Sequence, residues 1–341
     1  MKKLVEIKGG PGVAAAAEAL ASWPEVYLVF DSAVAQLAGK LIGAAPQIRA
    51  CLGIETSEEL KSMDSVLQIC RFLMEAGASR KALLVGLGGG ITTDMAGFAA
   101  SIYKRGIDFA LIPTTLLAQV DAAIGGKTGV NFDDYKNMLG VIRQPVFTWI
   151  CPEPLQTLGE REERSGAAEL LKTFLIGDAA LYRKAVELLG QSGDDRYDRL
   201  QPLIFGAAGI KAEIVGRDPF EQGERRKLNL GHTFAHALEH EARIHGADLT
   251  HGEAVAIGIV LAARLSERLG VAEKGLAAQL EADFSRCGLP TECPFPLASL
   301  IPAMTRDKKS EAEHIHFILI AQPGRVVEKD LSAAEAISAL L

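Results

Sequence analysis

A chain of 341 residues, 48% of them hydrophobic and 23% charged, is too long for one ordinary core and too apolar to be disordered, so about two domains are expected. Its net charge of −7 excludes a general nucleic-acid binder, which needs a broad excess of Lys and Arg. No apolar run approaches the ~18 residues of a membrane span, residues 1–6 lack a secretory apolar block, and the five cysteines form no CxxC pair, so a cytoplasmic protein with reduced thiols and no membrane partner is predicted.

Short β-branched runs at 26–30, 82–87 and 109–112 alternate with helical patterns at 32–42, 92–102 and 114–123. That alternation predicts a largely parallel sheet covered by helices, with ligands at the carboxyl ends of its strands. From about 158 the period becomes helical, at 169–176, 200–215, 232–244 and 253–269. A strand at 314–320, a turn at Pro323 and Gly324 and a second strand at 325–328 follow. The expected division is an α/β domain over 1–155 and a helical domain over 156–341.

Gly88, Gly89 and Gly90 stand where an apolar strand gives way to a helix, a setting in which absent Cβ atoms and the helix start favour a pyrophosphate. The turn is not GxGxxG, and taken alone it is as consistent with a tight connection as with a nucleotide site. Asp31, at a strand end, suits either a ribose hydroxyl or a helix cap.

Five of the seven histidines, His232, His236, His240, His245 and His251, fall in one short stretch, which points to metal chemistry. His232 and His236 are four apart on one helical face, and Thr233 after the first rules out the zincin motif. His251, at the next helix start, can reach back toward His232. A third donor must come from elsewhere, leaving one position open, and Glu169 among Gly166, Ala167 and Ala168 is the best candidate. His240 and His245 are read as ordinary surface or core residues. Lys127, Lys136, Lys172 and Arg225 lie in small-residue settings suited to anion recognition, while most of the 36 basic residues are read as solvated surface.

Taken in order, Gly88-Gly89-Gly90 with Asp94, Arg105-Gly106, Pro113-Thr114-Thr115, Asp121, Gly125-Gly126-Lys127, Asn131, Lys136-Asn137, Glu169, Lys172, Lys211, Glu221, Arg225, Asn229, Gly231-His232, His236, His251-Gly252-Glu253 and Asp307-Lys308-Lys309 resemble the 3-dehydroquinate synthase family of sugar-phosphate cyclases over nearly the whole length. Thr93, Ala123 and Ala235 depart from the family pattern. The resemblance implies an α/β N-terminal Rossmann-like NAD-binding domain with an all-helical C-terminal metal and substrate domain, in a homodimer. It implies that Glu169, His232 and His251 hold one divalent metal, zinc or cobalt, and that His236 serves the substrate. Asp121, Lys127, Lys136, Asn137, Lys172, Lys211, Arg225, Asn229 and one of Lys308 or Lys309 would surround a sugar phosphate, with Arg105 reaching a neighbouring subunit's site. Asp31, Glu58, Lys61, Gly88, Gly89, Gly90, Ile91, Thr92, Thr93, Asp94, Thr114, Thr115 and Thr157 would face NAD, with Lys127 and Lys136 serving both ligands. The implied reaction is transient oxidation of 3-deoxy-D-arabino-heptulosonate 7-phosphate by NAD, phosphate elimination, re-reduction and intramolecular aldol closure. A sister cyclase making a non-carboxylated ring, a metal-dependent polyol dehydrogenase and an inactive binding protein are the alternatives. Lys211, Arg225 and Asn229, which fit carboxylate handling, speak against the first.

Overall fold

The structure, a computed structural model, describes residues 5–133, 135–191, 195–306 and 314–341. Its contacts group the chain into two units, Met1–Glu163 with Tyr197–Phe220, and Arg164–Arg196 with Glu221–Leu341. The first unit is therefore discontinuous, where a single break near 155 was expected.

In the first unit the chain runs β1 (Ile7–Gly9), α1 (Ala16–Leu20), β2 (Val26–Asp31), α2 (Ala35–Ala44), β3 (Ile48–Ile54), α3 (Met63–Glu75), β4 (Leu83–Gly88), α4 (Gly90–Ile102), β5 (Asp108–Pro113), β6 (Lys127–Phe132), β7 (Tyr135–Ile142) and β8 (Thr148–Ile150). Six strands form a parallel sheet in the order β1-β8-β5-β4-β2-β3. Strand residues alternate between two apolar layers. Tyr27, Val29, Leu84, Phe109 and Leu111 pack with Val66, Ile69 and Leu73 of α3 and Met95, Ala96 and Ala99 of α4. Val26, Leu28, Leu83, Val85, Ala110 and Ile112 pack with Ala16 and Leu20 of α1 and Ala38 and Leu41 of α2. Burial on both faces is why these strands read as continuous apolar runs rather than as alternating ones.

Strand order reverses beside β2. β3 lies on one side of it and the next strand, β4, returns to the other. The carboxyl ends flanking that reversal are Asp31 and Gly88, so the glycine turn falls where open α/β sheets bind ligands. The helix expected at 114–123 forms over 116–122, and its part Ala118–Ala122 is π-helical, the Ala123 N–H donating to the Ala118 carbonyl at 3.0 Å. The antiparallel hairpin β6–β7 was not anticipated. Its pairing brings Gly129 opposite Gly140, and glycines carry no alternation signal.

The second part of the chain contributes α5 (Glu160–Gly177), α6 (Ala179–Leu189), α7 (Arg196–Arg217), α8 (His232–His245), α9 (His251–Arg268), α10 (Leu276–Arg286), α11 (Leu300–Arg306), β9 (Ile315–Gln322), β10 (Arg325–Leu331) and α12 (Ala333–Leu340). Most of α7 groups with the first unit. In the second unit α9 is buried on every face from Ala254 to Ala263, the pattern of a central helix, and α8, α10, α12 and β9 pack around it. The unit is largely helical, with β9 and β10 forming the expected antiparallel pair. Among the described residues no helix is long and apolar enough to cross a membrane.

Candidate functional site

Glu169, His232 and His251 converge within the second unit, each offering one donor atom, all within 4.8 Å of one another. Three local devices produce this. Glu169 lies on α5, whose Ser165 one turn earlier accepts the Gly252 N–H through Oγ at 3.0 Å. The chain passes so close there that a Cβ at 252 would fall 2.2 Å from the Ser165 carbonyl oxygen, so only glycine lets α9 begin against α5. Thr250 and Glu253 close a capping box at that start and set His251 in the first turn of α9. Gly231, at φ +78°, precedes His232 in a left-handed conformation that an ordinary residue resists, and a Cβ on it would meet Ile259 of α9 at 2.7 Å.

Both imidazoles present Nε2 to the same carboxylate oxygen. His232 Nε2 is 3.6 Å and His251 Nε2 3.4 Å from Glu169 Oε1. Behind them, His232 Nδ1 lies 3.2 Å from the Leu230 carbonyl, which can only accept, so Nδ1 carries the hydrogen and Nε2 the lone pair. His251 Nδ1 faces Glu239 Oε1 at 3.5 Å. This pattern, with outer nitrogens oriented by oxygen partners and inner nitrogens converging on a carboxylate, is that of a metal centre.

Charge in the cluster fits a cation. Glu169 is 0% exposed and Lys172, 1% exposed, places Nζ 2.5 Å from its Oε2. Neither Glu169 oxygen takes an aligned hydrogen bond. Burial works to raise the Glu169 pKa, but the Lys172 ammonium foremost and the two imidazoles hold it well below the carboxylate range. Burial, reinforced by Lys172, pushes His232 down to about 3, the neutral form that ligates metals. Burial also acts to lower His251, yet Glu169 and Glu239 outweigh it and push it up to about 10. A pocket that favours a proton there favours a metal ion that displaces it.

His236, one turn after His232, is exposed, with ring centroids 5.6 Å apart. Arg225 is buried on the 3-10 turn Glu224–Asn229, and Asn229 donates through Nδ2 to Glu221 Oε1 at 2.6 Å.

In the first unit Gly88 ends β4, Gly89 caps α4 and Gly90 opens it. Ile91 is half-buried, Thr92 and Thr93 are buried, and Thr93 donates to the Gly90 carbonyl at 2.9 Å. Thr114 is buried and its N–H donates to the Gly88 carbonyl at 2.9 Å, while Thr115 is half-buried beside Gly89. Asp31 acts as the helix cap and also meets a side chain. One oxygen accepts from Ala33 N–H at 2.9 Å and the other from Thr56 Oγ1 at 2.5 Å.

Lys61 is buried, donating to Asp94 at 2.6 Å and to Asn137 Oδ1 at 2.5 Å. Glu58 accepts from Asn131 at 2.8 Å. Lys211 reaches from α7 to Asp121, donating to its carboxylate at 2.7 Å and its carbonyl at 2.8 Å. Lys127 opens β6 exposed, Lys136 and Asn137 are exposed on β7, Arg105 is exposed at φ 69°, and Thr157 is exposed. Lys308 lies outside the described residues.

Sequence reasoning gave no role to Glu239, Ser165 or Thr56. Glu239 is three residues beyond His236, a helical spacing that could have drawn attention; nothing local marks the other two.

Residues 51–165 match the family described as 3-dehydroquinate synthase N-terminal, and 166–310 the one described as 3-dehydroquinate synthase C-terminal. The chain is 41% identical over 316 residues to the 3-dehydroquinate synthase of Acidithiobacillus ferrooxidans, spanning 91% of this chain and 86% of that protein. Among solved structures, 2-epi-5-epi-valiolone synthase from Streptomyces hygroscopicus subsp. jinggangensis 5008, with NAD+ and Zn2+ bound, matches with a TM-score of 0.86 and 29% identity, covering 100% of this chain and 97% of that one. 2-Deoxy-scyllo-inosose synthase, complexed with carbaglucose-6-phosphate, NAD+ and Co2+, matches with a TM-score of 0.82, covering 99% and 98%; at 21% identity it shows the fold alone.

Proposed function

We propose, on the premise that this chain belongs to the 3-dehydroquinate synthase family, a division of labour among its residues for that family's reaction. The reaction converts 3-deoxy-D-arabino-heptulosonate 7-phosphate to 3-dehydroquinate and phosphate in the shikimate pathway, with no net redox change. Identity of 41% to a 3-dehydroquinate synthase against 29% to a valiolone synthase favours this substrate over a sister cyclase's. The convergence of Glu169, His232 and His251 is the observation that carries the reading.

Glu169, His232 and His251 are the ligands for one divalent ion, zinc or cobalt. Bound there, the ion supplies Lewis acidity for the alcohol undergoing oxidation, and NAD supplies a reversible hydride acceptor. Lys172 keeps Glu169 ionised, Leu230 fixes the His232 tautomer and Glu239 orients His251. His236, exposed on α8, exchanges protons between substrate and solvent.

Asp31 takes a ribose hydroxyl, and Gly88 to Thr93 with Thr114, Thr115 and Thr157 line the dinucleotide. Support comes from the strand-order reversal that sets Asp31 and Gly88 at neighbouring strand ends. Lys61 and Glu58 brace that region through Asp94, Asn137 and Asn131. Arg225 and Asn229 recognise the substrate carboxylate. Lys211, held by Asp121, joins Arg225 and Asn229 at the carboxylate, and Lys127, Lys136, Asn137 and one of Lys308 or Lys309 recognise the substrate's phosphate. Arg105 serves the neighbouring copy's site in a homodimer, and the working compartment is the cytoplasm.

The test incubates purified protein with catalytic NAD, divalent metal and the heptulosonate phosphate, following phosphate release and carbocyclic product. Phosphate and 3-dehydroquinate in equal amounts without NADH accumulation are expected. A stoichiometric rise of NADH with a simple polyol, and no phosphate release, would replace this reading with a dehydrogenase.

A further inference from the structure

A second group of facing donors lies on the β9–β10 hairpin, made of residues other than Glu169, His232 and His251 and given no part in the reaction. His316 pairs with Asp330 and Ile318 with Glu328 in the antiparallel register, so 316, 328 and 330 share one face. Their side chains meet: His316 Nδ1 is 2.5 Å from Asp330 Oδ1 and 3.0 Å from Glu328 Oε1. One donor atom from each lies within 4.8 Å of the others, and all three residues are exposed.

Two carboxylates two residues apart on one strand face repel each other, and positive charge beside them eases their approach to a single point. Arg226 supplies part of it, with Nη1 3.0 Å from Glu328 Oε1, the same oxygen that faces His316. Lys329, between the two acids, belongs to the opposite face of the strand.

We propose that His316, Glu328 and Asp330 form a second, solvent-facing site for a divalent first-row transition cation, with Arg226 as a built-in competitor for Glu328. One imidazole nitrogen and two carboxylate oxygens suit zinc, nickel or copper better than magnesium or calcium, which take oxygen donors alone. The ladder of a paired hairpin holds the three backbones in register, so binding orders only side chains. Exposure leaves the remaining coordination positions to water. Because Arg226 and the cation meet at the same Glu328 oxygen, the Arg226–Glu328 ion pair opposes occupancy of the site.

The test is a nickel titration, by calorimetry, of protein already loaded with NAD and one equivalent of zinc. Wild type should take up a further equivalent of nickel. His316→Ala should weaken that uptake at least about tenfold, since losing a ligand costs no less than losing an outer-shell partner, and its unchanged turnover will show that the fold and the first site are intact. Arg226→Ala should tighten it about two- to fivefold, the scale of an exposed ion pair. Absence of a further equivalent in wild type, or identical isotherms for wild type and His316→Ala, overturns the site. An unchanged or weaker isotherm for Arg226→Ala overturns the competition.

Discussion

At Glu169 a fully buried carboxylate meets one ammonium and two imidazoles, so removing its charge unbalances all three. Glu169→Gln preserves volume but leaves Lys172 buried against a neutral amide, and zinc affinity is expected to fall by about 100-fold or more. Zinc retained after dialysis near one per chain in the variant would contradict the ligand assignment. Lys127→Ala is expected to lower turnover about 100- to 1000-fold with an unchanged far-UV spectrum, as loss of a preorganised charge does; near-normal turnover would remove Lys127 from the site. Asp94 carries a pH signature. Burial above all, partly offset by the Lys61 ammonium, pushes its carboxyl up to about 6. Between about 4 and 6 the folded chain then binds more protons at this group than the unfolded chain does, so its contribution to stability falls as pH rises through that window. Glu25, lowered by hydrogen bonds from Ser79, acts in the opposite sense. The unfolding free energy of wild type minus that of Asp94→Asn is therefore expected to decline by on the order of 2–3 kcal/mol between pH 4 and 7. Urea melts across that range measure it, and a flat difference would show that Asp94 is not raised.

The convergence of Glu169, His232 and His251 depends on how α9 starts against α5. Thr250 and Glu253 determine where α9 begins, and Gly252 determines how near it comes. These two contributions separate by mutation. Thr250→Ala removes a cap and should lower stability by about 1 kcal/mol with zinc affinity little changed. Gly252→Ala must push α9 away from Ser165, so it should lower stability by about 1–3 kcal/mol and weaken zinc binding together. Denaturant melts with and without zinc distinguish the two outcomes; equal zinc stabilisation in wild type and Gly252→Ala would show that the close approach does not position His251. The same element logic explains the short π-helical segment at 118–122, which sequence periodicity reads as part of a longer helix. Apolar spacing reports which face is buried, whereas the hydrogen-bond register depends on what the segment packs against.

For the whole molecule, a metal held by Glu169, His232 and His251 would be both ligand and structural tie, because the three come from separate stretches of chain. A chelator is expected to abolish turnover and to lower stability by about 4 kcal/mol relative to protein held at 1000 times its dissociation constant, with zinc or cobalt restoring both. Thermal melts and activity on the same samples check this; full activity after verified metal loss would end the metal-dependent reading.

Alternation of β-branched runs with helical periods was legible by itself as a parallel sheet followed by a largely helical part, because both periods are local. The crowding of His232, His236 and His251 and the order of the family motifs were legible for the same reason. Tertiary structure alone decided the rest. It grouped α7 with the first unit and brought Lys211 to Asp121, 90 residues away. It buried Lys61 against Asp94 and Asn137, set Glu239 behind His251, and gathered His316, Glu328 and Asp330 on one hairpin face. The Lys211, Lys61 and Asn137 meetings close long loops, and the energy that selects one closure comes from packing that no window of neighbouring residues contains; the Glu239 and His316 meetings span 12 to 14 residues but depend on side-chain directions that apolar periodicity does not report.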